Sequence, residues 1–467
     1  MTKRLFTLAV AVLLLSGCVM TDRYRYVHDQ PTCFAPQADP VPGVPGENRP
    51  FPSVDCRSAL YKSSFVEFDQ QGRHIDPAQA EKAIRLIEHE KRRSSTRKVI
   101  TFVYVHGWKN NGNPVAPGGK PKDVEKFHMA SSELGYRAWQ AAPEAPVPVV
   151  GIYIGWKGKS LMGPGFINWL SYWGRRNTAN RIGGDELTAF LNRLIEASVP
   201  NASDTSRVVL VGHSFGARVL ERAIENGVML YDPVAARAAA VPVRPRVDLV
   251  LYVNAAHDSR LSMTRVLSLR KNPITVRHPD FDEEKCQKAD AQDPVCKAYP
   301  LLVAMTSRGD SATRRVQPFA NAINFDGDSP AFPPLPADEF LDPPPTQRDL
   351  RGTAAANLPF LQSHSFSEIV CPIGADPVVC APGDTACAFS FRSRGECTGC
   401  FTVRKREEQN KRRPYNETAF WIMDIDARII RDHGDIWNQS TLSMLGAMMA
   451  PRGFFEPRAG LMRLQAP

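Results

Sequence analysis

Apolar residues form short, nearly unbroken runs along the chain, and amphipathic stretches separate these runs. Runs of this kind are typical of strands that are buried on both faces of a sheet. We interpret as strands the runs at 99–105, 147–154, 207–211, 247–253, 301–305 and 419–423, with a further candidate at 63–69. Helical patterns lie between them at 122–142, 184–198 and 217–230. This alternation predicts an α/β fold with a mostly parallel central sheet and helices on both faces.

A further helix is predicted after residue 76. Asp76 can cap its N-terminus, Pro77 suits the first helical position, and an apolar face follows at 83–87. We therefore expect this helix to begin at Pro77 and to pack on the sheet.

Changes in the rhythm of strands and helices suggest the domain boundaries. We expect a signal peptide at 1–17, an N-terminal linker or extension at 18–97, an α/β domain at 98–450 and a C-terminal tail at 451–467. Two stretches inside the domain, 260–299 and 320–410, break the alternation and are interpreted as insertions. The second insertion is rich in Cys.

The N-terminus has the pattern of a bacterial export signal. Lys3 and Arg4 supply positive charge, and the apolar stretch 5–15 is too short to span a bilayer as a helix of the mature protein. It ends in Leu15-Ser16-Gly17-Cys18, which resembles the bacterial lipobox. The resemblance implies cleavage before Cys18 and attachment of a diacylglycerol and a further acyl chain, such as palmitate, to that residue. Several acyl chains anchor a protein stably in a membrane. A plain signal peptide with an incidental Cys is the alternative.

Two further features bear on the location of the chain. Residue 19 is Val and not Asp, and an Asp there would resemble an inner-membrane retention signal. In a Gram-negative cell we therefore expect the protein at the outer membrane, facing the periplasm. The net charge of +9 is spread along the chain, which favours anionic surfaces such as lipid headgroups and does not indicate a nucleic-acid partner. The basic runs at 91–93, 404–406 and 411–413 are interpreted as solvated faces.

The ten cysteines indicate disulfides if the chain is exported. Lipidation of Cys18 would leave nine, so at least one would be unpaired or bonded elsewhere. Candidate pairs are Cys33 with Cys56 and Cys286 with Cys296, and five more cysteines lie within 371–400. Cys397 and Cys400 have the spacing of a zinc knuckle, but no second pair of that kind follows. We therefore expect no metal site.

The segment Gly212-His213-Ser214-Phe215-Gly216 carries the strongest chemical signal. It lies between an apolar strand and an amphipathic helix, which is the setting that a nucleophile elbow requires. Gly212 and Gly216 permit a sharp turn, so the Ser214 hydroxyl projects from the sheet as a nucleophile. We expect His213 to point away from the catalytic base and to serve in packing or on the substrate side.

A second motif lies upstream of the elbow. His106-Gly107-Trp108 follows the strand 99–105 and precedes a loop rich in Gly, Asn and Pro. Together with the elbow, this order of elements resembles the α/β-hydrolase superfamily of serine esterases and lipases, over about residues 98–445. The resemblance implies an α/β-hydrolase fold in which Gly107 belongs to the oxyanion loop. It also implies that the backbone N–H groups of Trp108 and Phe215 bind the oxyanion.

The same resemblance implies that an acid and then a base follow the nucleophile. Asp310, in a turn after the strand 301–305, is the preferred acid, and Asp258, after the strand 247–253, is the alternative. Asp326 and Asp328 lie in a Pro-rich insertion and rank lower. The preferred base is His433, which follows the strand 419–423 in the family's usual position. The other candidate is His364, and His257 is interpreted as a loop residue.

These residues predict a serine carboxylester hydrolase that needs no cofactor. The segment 151–175 carries Trp156, Trp169, Tyr172 and Trp173, and its Gly-rich part, 158–166, is interpreted as a mobile loop that would suit an acyl chain or another apolar substrate. An envelope lipoprotein with an idle triad and an acyltransferase with the same triad are the alternatives. The acyl length, leaving group, disulfide pairing and oligomeric state stay open.

Overall fold

The computed structural model describes residues 25–26, 51–52, 54–55, 58–108, 110–111, 123–158, 165–201, 203–231, 245–271, 274, 284–285, 299–322, 345–369, 387–392, 400–406 and 418–449. The predicted signal peptide, Cys18, Asp326, Asp328 and the C-terminal tail lie outside these ranges. The predicted cysteine pairs also lie outside them. Within these ranges, no helix combines the length and the apolar character that crossing a bilayer requires.

The strands are β1 Arg25–Tyr26, β2 Phe51–Pro52, β3 Val54–Asp55, β4 Tyr61–Phe68, β5 Ile100–Val105, β6 Val149–Trp156, β7 Arg207–His213, β8 Leu249–Val253, β9 Leu302–Ser307, β10 His364–Ile369, β11 Cys387–Arg392, β12 Cys400–Lys405 and β13 Phe420–Ile425. The α-helices are α1 Pro77–Arg93, α2 Asp123–Ala141, α3 Gly165–Ile182, α4 Asp185–Ser198, α5 Phe215–Glu225, α6 Ser259–Lys271, α7 Gln317–Ala322, α8 Gln347–Gly352 and α9 Gln439–Met449. A π-helical turn occupies Ala312–Val316, and 3₁₀ turns occupy Ala355–Asn357 and Pro359–Leu361.

In the described part of the chain, eleven strands form one sheet in the order β11-β12-β10-β13-β9-β8-β7-β5-β6-β4-β3. The strands from β10 to β4 in this order are parallel to their neighbours. At the two edges, β3, β12 and β11 pair in an antiparallel manner. The prediction of an α/β fold with a mostly parallel sheet is confirmed.

The seven predicted strands all occur within two residues of their predicted bounds. The helix predicted at 217–230 begins at Phe215 and ends earlier, at Glu225. It ends there because Gly227 adopts a φ of 123°, a left-handed conformation that glycine tolerates and that stops a helix. Asp76 caps α1 as predicted, since its carboxylate accepts a hydrogen bond from the N–H of Ala78.

Several strands lie in segments for which the sequence predicted other roles. The strand β4 and the helix α1 belong to the predicted N-terminal extension, yet β4 pairs with β6 along eight residues. The strands β10, β11 and β12 belong to the predicted insertion 320–410 and extend the sheet at one edge. The Gly-rich segment 158–166 is only partly a loop, because α3 begins at Gly165.

The core lies on both faces of the sheet. Along β5, Phe102 and Tyr104 pack into one apolar cluster, while Val103 and Val105 pack into the other. This alternation follows from the two-residue period of a strand. The first cluster includes residues of α2 and α9, and the second includes residues of α1, α4 and α5. Helices therefore cover both faces, as predicted.

The strand order reverses at β5. The chain passes from β5 to β6 on one side of β5 and then to β7 on the other side. In open α/β sheets, ligands bind beyond the carboxyl ends of the strands at such a switch point. The crevice beyond β5 and β7 is therefore where a site is expected.

A buried carboxylate at the start of α2 gives a prediction for stability. Burial raises the pKa of Asp123 to about 6, and the hydrogen bond from the Tyr104 hydroxyl offsets only part of this effect. The ordinary pKa is 3.8, so between about pH 4 and 6 the folded state binds more protons than the unfolded state. Stability should therefore fall as the pH rises through this window. The Asp123→Asn variant lacks this titration, so it should gain up to about 3 kcal/mol over the wild type between these pH values. Urea unfolding at both pH values measures the difference, and parallel pH profiles of the two proteins would contradict it.

Candidate active site

A strained turn displays Ser214 at the carboxyl end of β7. Ser214 is the single residue between β7 and α5, and its φ of 55° and ψ of −120° lie in a region that residues with a Cβ rarely adopt. Such a conformation costs on the order of 1–3 kcal/mol and persists only where the surroundings enforce it. Here the N–H of Ser214 donates to the carbonyl of Val253, and its carbonyl accepts from the N–H of Ala256. Backbone from the neighbouring strand thus holds the turn.

Three glycines allow the chain to approach this turn closely. A Cβ on Gly212 would lie 2.6 Å from the Cα of Ala217, and one on Gly216 would overlap the carbonyl oxygen of Val105. A Cβ on Gly107 would lie 2.6 Å from the Cβ of Ser214. Real Cβ atoms do not come this close to backbone, so larger residues would displace the elbow or the loop after β5.

The structure brings Ser214, His433 and Asp310 into one chain of hydrogen bonds. The Nε2 atom of His433 lies 2.8 Å from the Ser214 Oγ, and its Nδ1 lies 2.9 Å from Oδ2 of Asp310. Because an ionised carboxylate only accepts, Nδ1 carries the proton and Nε2 is free to accept the proton of the hydroxyl. The arrangement can therefore convert Ser214 into a nucleophile.

Asp310 is held as a buried carboxylate at the start of a π-helical turn. Its Oδ1 accepts from the N–H groups of Ala312 and Thr313, and its Oδ2 accepts from the Thr313 hydroxyl and from His433. Burial alone would raise the pKa of Asp310, but the hydrogen bonds from His433 and Thr313 outweigh it and lower the pKa. The carboxylate thus stays ionised and can orient the imidazole.

The alternative acid and base have other partners. Asp258 forms buried ion pairs with Arg176 at 2.9 Å and with Arg218 at 3.3 Å. The ring of His364 is buried and stacks on Trp421, with the ring centroids 4.0 Å apart. Neither residue takes part in the hydrogen-bonded chain that includes Ser214.

The start of α5 presents a hydrogen-bond donor next to Ser214. Phe215 is the first residue of this helix, and its N–H has no acceptor among the described residues. The first N–H groups of a helix attract negative charge, because the helix supplies no partner for them and its dipole is positive at this end. Trp108 follows Gly107, which lies against Ser214. Both predicted oxyanion donors thus belong to segments that adjoin the nucleophile.

His106 has a role that the motif did not reveal. The Nε2 atom of His106 accepts a hydrogen bond from the N–H of Trp156 at 2.9 Å. The proton of the neutral ring therefore lies on Nδ1, which donates to the carbonyl of Gly107 at 2.8 Å. Burial lowers the pKa of His106 to about 4, which keeps the ring neutral. In a trans peptide the Gly107 carbonyl and the Trp108 N–H point in opposite directions. By holding the Gly107 carbonyl, His106 therefore also fixes the direction of the Trp108 N–H.

His213 corrects one expectation. The prediction that it points away from the base is wrong, because its ring centroid lies 5.0 Å from that of His433. Its Nε2 lies 2.8 Å from the backbone carbonyl oxygen of His433. This contact connects residues 220 positions apart, so no local pattern could have indicated it.

An aromatic cluster adjoins the nucleophile. The rings of Trp108, Tyr172 and Phe215 lie within 6.5 Å of one another, measured between centroids. Tyr172 lies on α3, not on a loop, and the side chains of Trp169 and Trp173 lie outside the described part of the structure. Tyr172 and Phe215 are buried in the apolar core, and the partly buried Trp108 packs against it. No group of three or more His, Cys, Asp or Glu side chains in the described ranges is suited to hold a metal ion.

Comparisons with known proteins add little to this geometry. No family model matches the chain. No curated protein matches it either. An uncharacterized protein from Pseudomonas aeruginosa, known from a crystal structure, is 14% identical, with a TM-score of 0.20 over 52% of this chain and 41% of its own. Similarity at this level supports no conclusion on fold or function.

The contacts of the two acids predict opposite effects of their removal. Asp310→Asn should slow labelling of Ser214 by a fluorophosphonate probe by about 10⁴-fold, because the imidazole loses its orienting carboxylate. Asp258→Asn should leave Arg176 and Arg218 without their carboxylate, which costs about 3–5 kcal/mol of stability, and should change the labelling rate little. Labelling kinetics and urea unfolding of both variants measure these effects. A kinetic loss confined to Asp258→Asn would reverse the assignment.

Proposed function

We propose that the chain is a serine hydrolase of the α/β-hydrolase superfamily that cleaves carboxylic esters. The observation that carries the proposal is the hydrogen-bonded chain of Ser214, His433 and Asp310 at a strained turn between strand and helix. A structural turn would not require a buried carboxylate, a histidine and a strained serine to meet in this order.

The order of elements supports membership of the superfamily. The oxyanion loop follows β5, the nucleophile follows β7, and the acid and the base follow β9 and β13. In this family the partners occur in the order Ser, Asp or Glu, and His. All four segments lie at the carboxyl ends of parallel strands, and the first two adjoin the point where the strand order reverses.

The reaction proceeds through an acyl-enzyme. The Ser214 Oγ attacks the ester carbonyl while Nε2 of His433 accepts its proton, and Asp310 stabilises the imidazolium that forms. The N–H groups of Phe215 and Trp108 bind the oxyanion, and one such donor typically contributes about 10²–10³ in rate. The imidazolium then protonates the leaving alkoxide. Water, deprotonated by His433, cleaves the acyl-enzyme and releases the acid.

The partly buried Trp108 and the proposed anchor favour apolar acyl substrates. Trp108 directly follows Gly107, which lies against Ser214, whereas Tyr172 and Phe215 are buried in the core behind it. A lipidated Cys18 would place the enzyme at the cell envelope. In a Gram-negative cell, the favoured location is the outer membrane, with the enzyme facing the periplasm.

The first described residues are consistent with a membrane-proximal site. The N–H of Arg25 donates to Glu67 at 2.9 Å, and its guanidinium lies over the ring of Phe65. Glu67 is near the carboxyl end of β4, which is the same edge of the sheet as Ser214. Cys18 precedes Arg25 by seven positions, a stretch of chain that spans at most about 25 Å. Acyl chains on Cys18 would thus keep this edge of the sheet near the bilayer.

Labelling by a fluorophosphonate probe tests the nucleophile. We expect the full-length protein to be labelled and to hydrolyse p-nitrophenyl esters, and Ser214→Ala to lose both activities by at least about 10³-fold. Ser262→Ala is a matched control, because the Oγ of Ser262 also lies 2.8 Å from a histidine Nε2, that of His257. That pair lacks a carboxylate on Nδ1 among the described residues, so the control should keep full activity.

The outcome also separates the enzyme from its main alternative. A protein that the probe does not label would be a scaffold with an idle triad, and equal labelling of wild type and Ser214→Ala would place the nucleophile elsewhere. Product analysis in the presence of a long-chain alcohol distinguishes hydrolysis from acyl transfer, since transfer would yield a new ester.

Metabolic labelling tests the anchor. When a bacterium that processes lipoproteins expresses the full chain, radiolabelled palmitate should enter the protein, which should sediment with the membrane fraction. Cys18→Ser should abolish both the label and the sedimentation. Incorporation of palmitate into Cys18→Ser, or export of the wild type as a soluble protein, would contradict the proposed lipidation.

A further inference from the structure

The loop that carries His433 is held from several directions by side chains of the sheet. Asn254, just after β8, donates through Nδ2 to the carbonyl oxygens of Asp432 at 3.2 Å and His433 at 3.0 Å. His213, at the end of β7, contacts the same His433 oxygen through Nε2 at 2.8 Å. Lys126, on α2, donates to the carbonyl of Gly434 at 2.7 Å. These are contacts to backbone, so they fix where the loop lies.

The His433 carbonyl is distinctive because two side chains share it. A carbonyl oxygen has two lone pairs, and Asn254 and His213 approach it from the ends of adjacent strands. Only two side-chain torsions separate this backbone from the imidazole, and the hydrogen bond to Asp310 restricts the ring further. The position of Nε2 relative to Ser214 is therefore set by the carbonyl contacts together with Asp310.

Asn254 is fully buried, and both ends of its amide are used. Its Oδ1 accepts a hydrogen bond from the N–H of Ser307 at 3.0 Å, while its Nδ2 donates to the loop that carries His433. Its backbone has a φ of 45°, a conformation that Asn tolerates better than most residues. Neither Asp nor Leu could supply a donor and an acceptor in this place, so the residue type follows from the contacts.

His213 contributes a neutral donor. Burial lowers its pKa to about 3, so the ring is uncharged, and the proton on Nε2 points to the His433 carbonyl. A cationic side chain in this place would repel the imidazolium that His433 becomes during the reaction. A neutral ring holds the loop without that penalty.

We propose that His213 and Asn254 are positioning residues that clamp the backbone carbonyl of His433 and thereby set the distance between its Nε2 and the Ser214 hydroxyl. This proposal rests on the proposed function only for its kinetic consequence, because the clamp itself is a property of the loop.

The test compares variants that remove one donor with variants that keep it. His213→Phe removes the Nε2 donor, whereas His213→Gln keeps a donor at the same distance along the side chain. Asn254→Asp turns a donor into a carboxylate that faces two carbonyl oxygens. His257→Phe is the matched control, because His257 is also fully buried and neutral but contacts Ser262 and not the loop.

Two readouts are needed. Backbone amide hydrogen exchange over 429–438 should become faster in His213→Phe and Asn254→Asp, and should stay unchanged in His257→Phe. The kcat for a p-nitrophenyl ester and the fluorophosphonate labelling rate should fall by about 10–100-fold in the first two variants, with KM nearly unchanged, since a small misplacement of a catalytic group has this effect. His213→Gln should restore most of the lost rate.

The outcomes are distinguishable. Unchanged exchange in His213→Phe and Asn254→Asp would overturn the clamp. Faster exchange with wild-type kcat, or an equal loss of kcat in His257→Phe, would overturn the positioning role. Failure of the wild type to react with the probe would refute the proposed function, while hydrogen exchange would still decide whether the clamp exists.

Discussion

The constraint on which the site depends is steric. The end of β5, the end of β7 and the start of α5 pack so closely that no Cβ fits at Gly107, Gly212 or Gly216, and the chain turns within one residue. Ser214 adopts a conformation at that turn that costs free energy. Backbone hydrogen bonds with Val253, at the end of β8, and with Ala256, just after it, hold the turn in place. Because the close packing leaves the backbone no other path through the turn, the Ser214 hydroxyl projects from the sheet in a defined position.

Parallel topology explains how distant residues meet at this turn. Asp310 and His433 are 123 positions apart, yet both follow strands whose carboxyl ends lie at the same edge of the sheet as Ser214. Of the residues described between β9 and β13, the strands β10 to β12 extend the sheet on the far side of β13 and do not lie between Asp310 and His433. Because the sheet fixes the strand ends, a long insertion between these strands leaves the site intact.

The sequence was sufficient for the seven strands β4 to β9 and β13, since buried parallel strands are apolar on both faces and their pattern is local. It also indicated Ser214, Asp310 and His433, because each follows an apolar strand. It did not reveal the roles of His106, His213 and Asn254. Each of these forms a hydrogen bond with the backbone of a segment remote in sequence, and such a contact leaves no periodicity. The strands β10 to β12 were missed for a related reason, as they lie at the edge of the sheet in a segment without the buried-strand pattern.

Burial keeps several histidines in the described part of the chain neutral. His106, His213, His257 and His364 are enclosed, and desolvation lowers their pKa values to about 3 or 4, so none of them readily accepts a proton near neutral pH. The His433 side chain is 27% exposed, and its Nδ1 lies 2.9 Å from the carboxylate of Asp310. These buried histidines act as neutral hydrogen-bonding groups, and two of them, His106 and His213, order the backbone next to Ser214 and His433. The fold thus assigns different chemistry to identical side chains through their access to water and to a counter-charge.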